Sequence, residues 1–178
     1  HECCNVVGLD GVRVMFDDAK RAPLKAMLTT PSCVPAVTGF DDSGSYVDAA
    51  QVAETMKWDD VVGLGEMMNF PGILGGEENA QHEVGETLKA GKCVTGHYSI
   101  SETDRGLNAY IASGVRACHE CITSDDVMAK LRMGMYVQAR YGSAWLSLRN
   151  YLPQVLESGV DTRLIILCTD DNHPNTLV

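Results

Sequence analysis

Six short apolar runs recur along the chain, at 24–28, 61–66, 92–97, 114–119, 135–140 and 164–169. A run of this length that is apolar throughout reads as a strand, and predicts burial on both of its faces. The segments between them carry helix signals. Asp48 is placed to cap a helix over 49–57, and a helix over 77–90 stops at Gly91. The tetrapeptide 123–126 resembles a capping box and opens a helix over 127–133, which stops at Gly134. Ser143 is placed to cap a helix over 143–150, with Pro153 limiting or kinking its continuation. Strand alternating with helix predicts βαβ units and a parallel sheet.

Length and composition narrow the class further. A chain of 178 residues, 45% of them hydrophobic, suits one domain with a real core. No internal linker, repeat or low-complexity tract interrupts it. The net charge of −10 and only 14 basic residues argue against a phosphate-backbone partner, so no nucleic-acid binding is expected. No apolar run is long enough to span a membrane. Seven cysteines, several inside apolar segments (Cys33, Cys93, Cys118, Cys168), suit reduced thiols and a cytoplasmic location. The chain opens at His1 without Met, as expected of a piece of a longer polypeptide.

The chemistry gathers where the apolar runs end. One run ends in Glu66, another in His97, another in His119 and Glu120, and the last in Asp170 and Asp171. The C-terminal ends of successive parallel strands converge, and in a (β/α)₈ barrel that end carries the active site. Imidazole nitrogen and carboxylate oxygen together suit Mn²⁺, Fe²⁺ or Zn²⁺. One carboxylate of such a set would hold the metal while its neighbour moves protons. The C-x-x-C at Cys118 to Cys121 reads as structural, because a redox dithiol opens a helix whereas Cys118 closes a strand. Gly63 and Gly65 do not make a dinucleotide fingerprint, and Ser143 lacks the G-x-S-x-G context of a nucleophile.

The segments VVGLGEMMNFPGIL, GHYS, LNAYIASGVRACHE, KLRMGMYVQARYGSAWLSL and CTDDNHPNTL, in that order, closely resemble the bacterial adenine deaminases of the amidohydrolase superfamily. The resemblance implies an α/β fold of the (β/α)₈ TIM-barrel type, incomplete here, with residues 1–178 forming a partial barrel domain of about strands three to eight. It implies hydrolysis of adenine to hypoxanthine and ammonia by a metal-activated water. It implies a divalent, binuclear metal site, Mn²⁺ or Fe²⁺ with Zn²⁺ as an alternative, held by Glu66, His97, His119 and Asp170. Asp170 would also accept a proton from the attacking water, and Glu120 would contact substrate or shuttle protons. Met67, Tyr98 and Asp171 are placed to contact adenine. His173 shares the Asp170 signature without an assigned role. Arg140 and Ser143 fall in the strand-seven R-x-G-S-A signature, with pocket or loop structure and substrate contact as the alternative roles. His1-Glu2 resembles the tail of the second strand, near the pocket mouth. The His-x-His of the superfamily's first strand is not among the 178 residues. Six strands of an eight-stranded barrel leave two edges open, which predicts self-association, and a homo-oligomer is expected. Two other readings fit the same residues: an amidohydrolase for another aminopurine or a cyclic amide, and a barrel remnant without catalysis.

Overall fold

Five of the six predicted strands stand close to their expected bounds in the computed structural model, which describes residues 2–176, and the first is displaced. The chain forms two compact units, one built from residues up to Gly96 with Ser113–Val115, the other from His97–Ala112 and from Arg116 onward. Among the described residues, no helix is long and apolar enough to cross a membrane.

The first unit runs α1 (Glu2–Val7), α2 (Leu9–Ala19), β1 (Leu28–Thr30), α3 (Ala49–Thr55), β2 (Val61–Met67), α4 (Phe70–Gly75), α5 (Glu78–Lys89) and β3 (Cys93–Gly96). Its strands lie parallel in chain order, with Thr30 beside Leu64 and Leu64 beside Val94. Gly63 is needed for that pairing, since a Cβ there would sit 2.2 Å from the Cys93 carbonyl oxygen. Asp48 caps α3 through a reciprocal capping box with Gln51. Beneath β1, the buried hydroxyls of Thr30 and Thr55 share a 2.6 Å hydrogen bond.

The second unit holds α6 (Arg105–Ala112), most of β4 (Val115–Cys118), α7 (Ser124–Arg132), β5 (Tyr136–Arg140), α8 (Leu148–Glu157) and β6 (Ile165–Cys168). Its strands are again parallel and in chain order, with Cys118 beside Val137 and Arg140 beside Cys168. Val127 and Leu131 of α7 and Tyr151 and Val155 of α8 pack with Val137 and Ala139 of β5 into one buried cluster. Thr123 caps α7 by accepting from the Asp126 N–H at 3.2 Å, and Gly134 follows with a φ of 79°.

Several expectations need correction. β6 is not buried on both faces: Ile166 is 46% and Leu167 71% exposed, because β5 is its one sheet neighbour. The first strand begins at Leu28 rather than near residue 24, and Leu24 and Met27 stay exposed. Helices α1, α2, α4 and α6 formed without a recognised signal. Glu2 opens a helix instead of closing a strand, and His1 lies outside the described residues. The helix expected from Ser143 begins at Leu148, and Pro153 lies inside it. That proline is the sixth of the ten helical residues, so the helix gives up the interior bond from position 153 to the Arg149 carbonyl.

Candidate metal centre and acid–base cluster

Two histidines follow directly on short strands of the parallel pattern. His97 comes after β3, and its backbone N–H donates to the hydroxyl of the buried Tyr110 on α6 at 3.1 Å. His119 comes after β4. Their rings meet edge to face, with centroids 5.1 Å apart. Each offers one ring nitrogen to a metal ion, and those two nitrogens lie within 4.8 Å of one another. The side chains are 20% and 13% exposed, so the pair is sheltered yet reachable. Two imidazole nitrogens converging in this way fit a borderline divalent cation.

Glu120 faces both rings. Its Oε1 lies 3.9 Å from His97 Nε2 and 3.7 Å from His119 Nε2. The same oxygen pairs with Arg140 Nη1 at 2.5 Å, and that nitrogen also donates to Asp170 Oδ2 at 2.5 Å. Arg140 is the last residue of β5, and its side chain is 4% exposed. Burial works against its charge, but the hydrogen bond to Asp170 and the pairing with Glu120 outweigh it and hold the guanidinium above its ordinary value. The arrangement therefore keeps one buried cation between two acids.

A tight turn delivers Asp170. Its φ of 57° lies in the left-handed region, which a non-glycine residue adopts only when its surroundings hold it there. The loop after β5 supplies that hold. The Tyr141 N–H donates to the Cys168 carbonyl and the Ser143 N–H to the Asp171 carbonyl, both at 3.0 Å. Ser143 Oγ accepts from the His173 N–H at 2.7 Å and donates to Asn172 Oδ1 at 3.2 Å. Ser143 is thus a loop residue, and it neither caps a helix nor faces the cluster. Gly142 lets the two loops touch: a Cβ there would lie 2.2 Å from the Thr169 carbonyl oxygen and 2.6 Å from that of Asp171.

The remaining candidates fall elsewhere. Glu66 is the penultimate residue of β2 in the first unit; its carboxylate offers a metal-ligand atom, and its carbonyl accepts from the Ser32 hydroxyl. Met67 and Tyr98 are fully buried. The Tyr98 hydroxyl donates to Glu102 at 2.8 Å, and its ring packs on Tyr110. Asp171 and His173 have exposed side chains. All seven cysteines are free. The Cys118 and Cys121 thiols are buried and interact closely, which draws Cys118 below the ordinary thiol range and pushes Cys121 above it.

The weight of Arg140 was missed from sequence. Its signal was a lone cation closing an apolar strand, at a level where neighbouring strands end in acids.

The site is thus of a definite class: a parallel α/β scaffold whose strands end in paired imidazoles and an arginine-bridged pair of acids. No protein-family model matches the chain. All 178 residues align with the adenine deaminase of Clostridium botulinum (strain ATCC 19397 / Type A) at 59% identity, with that of Moorella thermoacetica (strain ATCC 39073 / JCM 9320) at 44%, and with that of Paracoccus denitrificans (strain Pd 1222) at 42%. The chain spans about 30% of the length of these curated relatives. The resemblance read from the motifs therefore holds over the whole chain: it is similar throughout to a segment of adenine deaminases.

Proposed function

We propose that the longer protein containing this chain hydrolyses adenine to hypoxanthine and ammonia, and that this chain supplies most of the metal and proton-transfer groups. The observation that carries the reading is the convergence of His97, His119, Glu120, Arg140 and Asp170 beyond the strand ends of the second unit. The names of the relatives supply the substrate. In this reading the parallel strands belong to a (β/α)₈ barrel completed by the rest of the longer chain.

Glu66, His97, His119 and Asp170 are the residues that would hold a binuclear divalent site, for Mn²⁺, Fe²⁺ or Zn²⁺. When bound, such a metal supplies Lewis acidity that brings the pKa of water from about 16 towards about 7. Asp170 takes the proton from the water that attacks the purine carbon bearing the amino group. Glu120, between the histidines and Arg140, takes the second proton, from the hydroxyl of the tetrahedral centre, and the two acids pass their protons to the ring nitrogen and to the departing amine. The C–N bond then breaks and ammonia leaves, with one water consumed. Arg140 holds both acids in place between proton transfers. Asp171 is the candidate for hydrogen bonding to adenine, and Met67 and Tyr98 form wall behind the site rather than its exposed face.

The deciding experiment measures ammonia release from adenine by the full-length protein purified with Mn²⁺, beside its Glu66→Gln variant. Activity lost in the variant together with bound metal is the expected result. A full metal complement with no ammonia from adenine would overturn the substrate and direct the search to other aminopurines and cyclic amides.

A further inference from the structure

We propose that Lys130 is a positioning residue for this site, its buried ammonium tying the segment that carries His97 to the segment that carries His119 and Glu120. The inference deepens the reading above and rests on it for its catalytic consequence.

Lys130 lies on α7, and its side chain is 0% exposed. Its Nζ donates to the Glu120 carbonyl at 2.7 Å and to the Tyr98 carbonyl at 3.2 Å. It pairs with Asp126, one turn earlier on the same helix, at 2.8 Å. An ammonium has three donors: two go to these carbonyls and the third reaches the Cys121 sulfur at 3.5 Å, with the Asp126 carboxylate beside it as counter-charge. A lysine this deeply buried is costly unless it is paired and fully hydrogen-bonded. The arrangement therefore specifies where both carbonyls must be.

Those carbonyls are one residue beyond His97 and one beyond His119. Both lie past the strand ends (Gly96 and Cys118), where ladder hydrogen bonds stop. Each strand end therefore needs another anchor. The Tyr98 N–H finds the Cys118 sulfur at 3.2 Å, and the His97 N–H finds Tyr110. Lys130 reaches both segments through the same two carbonyls that the Cys118 thiol touches at 3.8 Å, and it does so at shorter distances and with a full charge. A shift in either peptide would swing its neighbouring imidazole, and with it the Glu120 carboxylate. Outer partners of this kind change metal affinity or activity by about 10- to 100-fold when removed.

The test compares the full-length protein with Lys130→Met, which keeps the stem and removes the ammonium, and with Lys130→Gln, which keeps two N–H donors on a shorter stem without the charge. Two readouts are taken: steady-state deamination of adenine, and amide hydrogen exchange resolved along the chain. The expected result for Lys130→Met is a kcat lower by about 10- to 100-fold with KM little changed. Exchange should rise at residues 97–99 and 119–122 while β5 and β6 keep their protection. Lys130→Gln should show the same pattern, more weakly. If Lys130→Met fails to fold, Lys130→Gln decides alone. Wild-type kcat in a folded variant, or exchange that rises evenly across the second unit, overturns the proposal. If the wild-type protein releases no ammonia from adenine, the deaminase reading fails, and the exchange pattern still decides the positioning role.

Discussion

The Arg140 guanidinium donates through Nη1 to Asp170 Oδ2 at 2.5 Å, joining the last residue of β5 to the turn that follows β6. The same nitrogen pairs with Glu120 after β4, so one cation fixes acids from both neighbouring strand ends. Removing it leaves the sheltered Glu120 carboxylate and the more exposed Asp170 carboxylate without their shared counter-charge. Arg140→Met in the full-length protein is expected to lose about 1 to 3 kcal/mol of stability, less than a fully buried ion pair broken from one side because Asp170 is partly solvated. Deamination should fall by about 10- to 100-fold even under conditions where the variant remains folded. Arg140→Lys should lie between, because an ammonium on a thinner stem cannot reproduce the planar fork. Urea unfolding and steady-state kinetics check this, and a fully active Arg140→Met would remove the bridge from the mechanism.

Gly142 offers a test of geometry without touching charge. Its missing side chain is what allows the loop after β5 to rest on the Thr169 and Asp171 carbonyls. Gly142→Ala must push those two backbones apart, because neither contact atom is the free end of a flexible side chain. The left-handed turn at Asp170 depends on the same pair of loops. The expected outcome is a large fall in kcat with a smaller fall in thermal stability, since the displaced segment lies at the exposed edge of the second unit. Parallel melting and rate measurements would show it. Unchanged kcat beside a lowered melting temperature would mean that Asp170 does not need this support.

What could be read from sequence followed from how local each signal was. The strands were legible because apolar runs with polar ends are local patterns, and so were Thr123 and Gly91 as helix boundaries. His97, His119, Glu120 and Asp170 could be picked out because each directly follows a run. α2 was not legible: its buried face is only Gly11, Val12 and Phe16, among charged residues. The exposure of β6 was not legible either, since an apolar run looks the same whether one neighbour strand covers it or two. Arg140 and Lys130 were harder still. A Lys four residues after an Asp on a helix reads as an ordinary surface pair. Only the tertiary placement of the Tyr98 and Glu120 carbonyls turns it inward.

Away from this cluster, Glu83 on α5 makes the stability of the first unit depend on pH. It is 2% exposed, and its Oε1 accepts from the Asn79 side-chain amide at 2.9 Å. Burial raises its pKa, against the pull of the Asn79 hydrogen bond, and the nearby charges of Glu77 and Asp48 raise it further, from 4.5 to about 8. Between those two values the folded chain keeps a proton that the unfolded chain releases. The folded state then binds more protons, so stability falls as pH rises through that window and levels off once the folded group has also ionised. Glu83→Gln removes the titration while keeping the shape. In the full-length protein the variant is expected to melt at a higher temperature than the wild type above about pH 8 and to converge with it towards about pH 4.5. Melting temperatures followed across that range by circular dichroism decide it. Two parallel curves would mean that Glu83 carries the same charge in the folded and unfolded states.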